Sequence, residues 1–136
     1  MLGDDNPETK EIFVKLKQKL GEIPPPFRAM ANHPEYLKIV LQKMETIMDS
    51  DALDQKTKLV IASIVSTLNN CDFCINMYAQ QLKSTGFTDK QFVELLAMID
   101  LVGGMNHFNN GFMIKPNSEK WGYTGYNFLS DNTIRK

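Results

Sequence analysis

The sequence predicts an all-α fold, a compact multi-helix bundle. Three observations predict it: apolar residues recur at helical spacing in successive segments, helix start and stop residues bracket those segments, and no hairpin signal occurs. A chain of 136 residues is long enough for one domain with its own core. We therefore expect residues 1–136 to form a single helical domain.

The first helix is predicted from its caps. Asn6 is a typical N-cap, Pro7 suits the first turn, and Gly21 ends the apolar periodicity, so a helix is expected over about 7–20. Consecutive prolines then favour extended backbone. The "PPPF" stretch at 24–27 is accordingly predicted to be a stiff connector.

Two longer helices follow this connector. Pro34 opens an apolar face that predicts a helix ending near Ser50. From Asp54 a polar turn leads into an almost wholly apolar run over 59–65, which lacks the polar stripe of a surface helix. The β-branched residues of that run would also suit a strand, but the polar entry turn favours a helix. We expect this helix to be central and buried on most sides.

The second half of the chain contains further helix signals. The asparagines at 69–70 end the central helix, and helical character resumes over 72–84 until Gly86 stops it. Thr88, with a glutamine three residues later, forms a capping box that predicts another helix. The glycines at 103–104 predict an interruption of that helix, followed by a last short helix.

The composition limits the partners that the protein can have. Lys and Arg number 15 and Asp and Glu 16, which gives a formal net charge of -1 and no field to attract nucleic acid or an anionic membrane. Polar residues interrupt every apolar window before it reaches the roughly 20 residues that span a bilayer. The acidic N-terminal residues are unlike a secretory signal. We expect a cytoplasmic protein that binds neither nucleic acid nor membrane.

The two cysteines, Cys71 and Cys74, lie where the helix over 72–84 begins. Spacing i, i+3 brings their sulfurs within reach of a disulfide, and the first turn of a helix favours a thiolate. A reactive dithiol is one interpretation, and two small core residues are the other. A structural zinc site needs about four ligands and is disfavoured, because His33 and His107 stand at no ligand spacing from the pair. We expect neither a metal nor a cofactor.

The segment "LDQKTKLVIASIVSTLNNCDFCINMYAQQLKSTGFTDKQFVELL", with "IPPPFRAMANHPEYL" upstream, resembles the carboxymuconolactone decarboxylase superfamily, and in particular its alkylhydroperoxidase D-like branch. The resemblance extends over about 22–113. It implies an all-helical subunit that assembles as a trimer or hexamer. It also implies that Cys71 and Cys74 cycle between dithiol and disulfide while reducing a hydroperoxide, and that a thiol or lipoyl-type reductant restores them.

The chain departs from that family in its proton relay. The family commonly has a glutamate twelve positions before the first cysteine and a histidine four after the second, where this chain has Leu59 and Tyr78. The Tyr78 hydroxyl can donate a hydrogen bond to the Cys74 sulfur one turn away, and we predict that it tunes the pair. His107 is the candidate for a substitute proton-transfer group. A hydrogen-bonded surface histidine is the alternative for that position.

These observations favour a thiol-dependent peroxidase or disulfide oxidoreductase in antioxidant defence, slowed by its incomplete relay. Its expected catalytic residues are Cys71, Cys74, Tyr78 and His107. The missing glutamate and histidine also support a redox-sensing or assembly protein that turns over no substrate. Lactone decarboxylation ranks last because no basic cluster is available to bind a dicarboxylate. Aromatic residues in the tail over 116–136 favour contact with another subunit in a homo-oligomer.

Overall fold

A computed structural model describes residues 6–113, which contain six α-helices and no strand. The predicted all-α class is confirmed. The helices are α1 (Pro7–Leu20), α2 (Pro25–Met30), α3 (Pro34–Met48), α4 (Gln55–Leu68), α5 (Asp72–Ser84) and α6 (Asp89–Gly111). Contacts within the chain define two compact units, the first ending at Leu59 and the second beginning at Val60. The tail over 116–136, for which subunit contact is predicted, lies outside the described residues.

Helix α1 begins and ends where its sequence predicts. The Asn6 side chain accepts a hydrogen bond from the Glu8 amide at 3.0 Å, and Pro7 is the first helical residue. At the other end Gly21 has a φ of 80°, and its amide donates to the Lys17 carbonyl at 2.9 Å. Glycine adopts this left-handed conformation without a steric penalty, so it closes the last turn.

The proline run forms a short helix, whereas the sequence analysis predicts a stiff connector over 24–27. Pro24 is the N-cap of α2, and Pro25 and Pro26 form the start of the helix. Proline suits these positions because the first amides of a helix have no partner within it. The prediction was therefore wrong about the backbone, and it also missed that the next residue, Phe27, is buried.

The core of the first unit lies among helices α1, α2 and α3. Its buried apolar side chains are Phe13, Leu16, Phe27, Ala31 and Leu37. Helix α3 begins with an N-cap from His33, whose Nδ1 accepts the Tyr36 amide at 3.3 Å. This bond satisfies one of the amides that a helix start leaves without an intrahelical partner.

A buried lysine links the end of α3 to the start of α4. Lys58 donates from Nζ to the carbonyl of Met48 at 3.0 Å and also to the carbonyl of Ser50. At the start of α4, the carboxylate of Asp54 accepts hydrogen bonds from the Thr57 amide at 2.9 Å and from the Thr57 hydroxyl at 2.6 Å. Both helix ends thereby gain partners for polar groups that the helices themselves leave unpaired.

Helix α4 is buried on one face only, so the prediction that it is buried on most sides was wrong for the single chain. Ile61, Val65 and Leu68 form a stripe on its surface and are 45%, 50% and 61% exposed. The buried face includes Leu59 and two serines instead. Periodicity reports how apolar a helix is, but it does not report which side the rest of the chain covers.

Helix α6 begins as predicted but continues further. The capping box is confirmed: the Thr88 amide donates to Gln91 Oε1 at 2.8 Å, and the Gln91 amide donates to the Thr88 hydroxyl at 3.3 Å. The interruption predicted at 103–104 is absent, since α6 runs through both glycines to Gly111. Glycine lowers helix propensity by about 1 kcal/mol relative to alanine. A helix of 23 residues tolerates that cost without breaking.

Candidate active site

A tight turn between α4 and α5 positions the cysteine pair. Asn70 has a φ of 54°, the Cys71 amide donates to the Ser66 carbonyl at 3.0 Å, and the Asn70 amide donates to the Thr67 carbonyl at 3.1 Å. These two bonds around a left-handed residue form a Schellman motif. Asparagine adopts this conformation more readily than most residues. The predicted end of the helix at 69–70 is thus confirmed.

Cys71 follows this turn and is also the N-cap of α5. Its Sγ accepts a hydrogen bond from the Cys74 amide at 3.4 Å, and its carbonyl accepts the Ile75 amide at 2.8 Å. The sulfur therefore lies at the positive end of the helix dipole, beside an amide that has no partner within the helix. Both features stabilise negative charge on the Cys71 sulfur once the pair is reduced.

A disulfide joins Cys71 and Cys74, whose Cα atoms are 5.3 Å apart. That separation lies within the ordinary range of disulfides, about 4.4–6.8 Å. Both residues are partly exposed, so the pair is not sealed from solvent. The position can therefore support a dithiol that opens and closes without a large movement of the backbone.

Tyr78 lies one turn after Cys74 on α5 and is half-buried. The i, i+4 spacing places both residues on one face of the helix. Within residues 6–113 the hydrogen bond to a cysteine sulfur comes from the Cys74 amide and not from the Tyr78 hydroxyl. The hydrogen bond predicted from the Tyr78 hydroxyl to the Cys74 sulfur therefore stays a prediction for the reduced form of the pair.

His107 and Leu59, the other two positions considered for proton transfer, differ in their exposure to solvent. His107 lies in the last turns of α6 and is exposed, and none of the hydrogen bonds of the described residues joins it to the cysteines. Its role stays a prediction. Leu59, where the resemblance places a relay glutamate, is buried in α4. An aliphatic side chain there moves no proton.

Two serines of α4 were missed by the reading of the sequence. Ser63 and Ser66 are both buried, and the Ser66 carbonyl is the group that holds the Cys71 amide. The hydroxyl of Ser63 has no hydrogen-bond partner among the residues described. Their spacing from Leu59, four and seven residues, is the signal that could have placed all three on one side of the helix, although it does not say whether that side is buried.

The part of the chain that the structure describes contains neither a metal-binding cluster nor a membrane-spanning helix. No group of three or more His, Cys, Asp or Glu residues there is arranged to hold a metal ion. None of its helices combines the length and apolar character needed to cross a membrane.

Comparison with known proteins extends these observations. The model of the carboxymuconolactone decarboxylase family matches residues 34–114, a segment that includes the cysteine pair. The chain is also similar to the crystal structure of the alkylhydroperoxidase AhpD core from Rhodospirillum rubrum, with a TM-score of 0.74 and 29% sequence identity. That similarity covers 83% of this chain and 85% of the other. No curated protein matches the chain.

Proposed function

This chain belongs to the carboxymuconolactone decarboxylase family, and on that premise we propose that it is a thiol-dependent peroxidase whose Cys71 and Cys74 alternate between dithiol and disulfide. The proposal depends on one observation: the first sulfur of the pair caps the N-terminus of α5 and is bonded to the second. The similar structure from Rhodospirillum rubrum is described as an alkylhydroperoxidase, which supports the same reaction class.

The reaction begins from the reduced pair. One thiolate attacks an oxygen of the hydroperoxide, the O–O bond breaks, and the sulfur becomes a sulfenic acid while the departing alkoxide takes up a proton. The second thiol then attacks the sulfenic sulfur, water leaves, and the disulfide forms. The hydroperoxide is reduced by two electrons, and the cysteine pair is oxidised by two.

The N-cap position favours Cys71 as the attacking residue. Its sulfur accepts the Cys74 amide and lies at the positive end of α5, so it ionises more readily than a sulfur inside the helix. Cys74 is then the resolving residue. After reduction Tyr78 donates a hydrogen bond to the Cys74 sulfur from the next turn, which tunes the resolving thiol. His107, exposed on α6, is the candidate for proton exchange with solvent.

A thiol or lipoyl-type dithiol closes the cycle. A thiolate of the reductant attacks one sulfur of the disulfide and forms a mixed disulfide, which a second thiol displaces. The pair is partly exposed, and Phe73, which lies between the two cysteines in the sequence, is 43% exposed. This apolar surface suits a reductant that presents its sulfurs on a hydrocarbon arm. We place this cycle in the cytoplasm, where reducing thiols are abundant.

We also propose that the protein acts as a homo-oligomer, a trimer or hexamer. Large apolar side chains of α6 are between 47% and 68% exposed: Val93, Leu96, Met98, Leu101, Val102, Met105 and Phe108. So many exposed large apolar side chains on one helix are uncommon on soluble monomers and are typical of protein interfaces. Together with the α4 stripe of Ile61, Val65 and Leu68, they support burial against further copies of the chain.

Steady-state consumption of an organic hydroperoxide, with dithiothreitol as the reductant, tests the proposal. The wild-type protein should turn over many equivalents of peroxide, and Cys71→Ser should abolish turnover. Pre-reduced Cys74→Ser, mixed with peroxide after dithiothreitol has been removed, should undergo a single oxidation of Cys71, detected as a sulfenic acid, and then stop. Equal and unchanged turnover in both variants would reject the cysteine cycle.

A redox-sensing or assembly protein is the second candidate. Leu59 and Tyr78 stand where the resemblance places a glutamate and a histidine, and this replacement favours a pair that changes state without rapid catalysis. The same assay separates the two candidates, because a sensor consumes one equivalent of peroxide and then stops. Lactone decarboxylation ranks third, since it needs no cysteine pair.

A further inference from the structure

Two exposed polar side chains of α6 lack a partner within the described residues. Asp100 and His107 are seven positions apart, so they lie on one face of the helix, two turns from each other. None of the ion pairs and hydrogen bonds found between residues 6 and 113 involves either side chain. The carboxylate and the imidazole are therefore both available to a group outside the described chain.

The same face has open space between these two side chains. Gly103 and Gly104 lie there, and a Cβ added to either would contact nothing within 4 Å beyond its own helix. Glycine lowers helix propensity by about 1 kcal/mol relative to alanine, and no packing inside the described chain explains its use at two adjacent positions. Glycine does allow another backbone to approach closely. This face of α6 therefore has room for a second helix.

The polar groups on this face are self-complementary for one orientation of a second copy of α6. Asp100 and His107 are equally far from the midpoint of the two glycines. An antiparallel copy centred on that midpoint therefore brings Asp100 level with the partner's His107, and His107 level with the partner's Asp100. A parallel copy in register would instead oppose two aspartates, which repel each other. An imidazole N–H donates to a carboxylate in either protonation state of the histidine, so the antiparallel orientation is favoured.

We propose that α6 pairs with α6 of a second copy of the chain in antiparallel orientation across Gly103 and Gly104, and that Asp100 of each copy binds His107 of the other. This inference rests on the homo-oligomer proposed above and specifies one of its contacts. The carboxylate accepts a hydrogen bond from one nitrogen of the imidazole. The other nitrogen stays available for the proton exchange proposed for His107.

The apolar residues of α6 fit this register. The antiparallel pair brings Leu96, which is 52% exposed in the single chain, level with the partner's Gly111. A Cβ at Gly111 would again contact nothing within 4 Å beyond its own helix. A large side chain opposite a glycine allows two helices to pack closely. The contact therefore buries apolar surface together with the two Asp–His pairs.

The symmetry of this contact restricts the number of subunits. The contact is isologous, because each copy uses the same surface, so a two-fold axis relates the two copies. Every subunit then has one partner across α6, and the assembly contains an even number of subunits. Of the two assemblies proposed above, the hexamer is compatible with this contact and the trimer is not.

Charge reversal tests the contact in the full-length chain, with particle size measured by sedimentation velocity and helix content by circular dichroism. In low salt, Asp100→Lys and His107→Glu should each raise the dissociation constant of the assembly by about tenfold or more and yield half-sized particles, because the opposed groups no longer match. The double variant D100K/H107E opposes Lys to Glu and should regain most of the wild-type affinity. Glu94→Lys, the same reversal at an exposed position of α6 away from this face, is the matched control and should keep the wild-type size.

Salt supplies a readout that a loss of packing would not give. The difference in affinity between the single variants and the double variant should shrink in about 1 M NaCl, where charges are screened. A trimeric wild type, or a double variant that assembles no better than the single variants, overturns this inference and leaves the homo-oligomer proposal standing. A monomeric wild type overturns the homo-oligomer proposal, and this inference with it.

Discussion

The sulfur of Cys71 accepts a hydrogen bond from the backbone amide of Cys74, 3.4 Å away, so the first cysteine caps the helix that contains the second. The donor belongs to the backbone and therefore persists when the disulfide opens or when the Cys74 side chain is replaced. The N-terminus of α5 thereby stabilises the ionised form of the Cys71 sulfur.

The first prediction concerns thiol acidity. In Cys74→Ser the amide of position 74 remains, so the Cys71 thiol should have a pKa below the value of about 8.5 for a free cysteine. In Cys71→Ser the Cys74 thiol lacks that cap and should ionise at higher pH. Thiolate absorbance in the ultraviolet, followed against pH, measures both. A Cys71 pKa equal to or above that of Cys74 would contradict the N-cap account.

The second prediction concerns Tyr78. Tyr78→Phe removes a hydrogen bond that stabilises the Cys74 thiolate, so the pKa of that thiol should rise and peroxide turnover should fall several-fold. Tyr36→Phe, on an exposed position of α3, is the matched control and should change neither quantity. If Y78F has wild-type thiol pKa values and wild-type turnover, Tyr78 has no role in tuning the pair.

Acid sensitivity is expected from Asp54. Hydrogen bonds from the Thr57 hydroxyl, and then from the Thr57 amide, hold the pKa of Asp54 below its usual value. Its contribution to stability is therefore complete above the unfolded pKa, at about pH 4, and is lost as the pH falls through the lower folded pKa. Asp54→Asn keeps an oxygen acceptor but does not titrate.

Urea unfolding at a series of acidic pH values measures this effect. From about pH 5 to pH 2 the wild type should lose more stability than D54N. Asp51→Asn, at an exposed position in the same connection, should follow the wild-type curve. Parallel curves for the wild type and D54N would show that the Asp54 cap contributes nothing that depends on ionisation.

The buried Lys58 should be important for stability. Lys58→Met keeps an unbranched side chain but leaves the carbonyls of Met48 and Ser50 without their donor. The free energy of unfolding should fall by about 1–3 kcal/mol, as expected when buried acceptors lose a partner. Lys90→Met, at an exposed position of α6, should change it by less than about 0.5 kcal/mol. A similar small change for K58M would mean that water replaces the lysine.

The exposed apolar side chains of α6 yield a prediction about assembly. Leu101→Glu introduces a charge into apolar surface, so it should dissociate the oligomer without unfolding the chain. Analytical ultracentrifugation should show a trimer or hexamer for the wild type and a monomer for the variant. Asn106→Asp, also exposed on α6, should remain assembled. A monomeric wild type would contradict the proposal.

Much of the fold follows from local chemistry. Caps at Asn6, Thr88 and Gly86 act within a few residues, so the sequence is sufficient to place the start of α1, the start of α6 and the end of α5. The proline run was misread because the same residues suit extended backbone and the first turn of a helix. Which of the two forms depends on the burial of Phe27, a tertiary effect.

The sequence predicts less of the candidate active site than of the helix ends. The cysteine spacing and the asparagines before it identify a pair at a helix start, and the structure has a disulfide there. The buried serines and the exposed side of α4 could not be read from periodicity, because serine is neutral to the apolar pattern. Only tertiary packing decides that Ser63 faces inward while Ile61 faces solvent.

The reduction potential of the Cys71–Cys74 pair tests the central claim most directly. The protein is equilibrated in glutathione and dithiothreitol redox buffers, and free thiols are counted by alkylation. We predict one two-electron transition, within roughly -220 to -320 mV, the range of the cytosolic thiol poise. Thiols that stay reduced across all buffers, or a disulfide that persists in excess dithiothreitol, would contradict a pair that cycles in the cell.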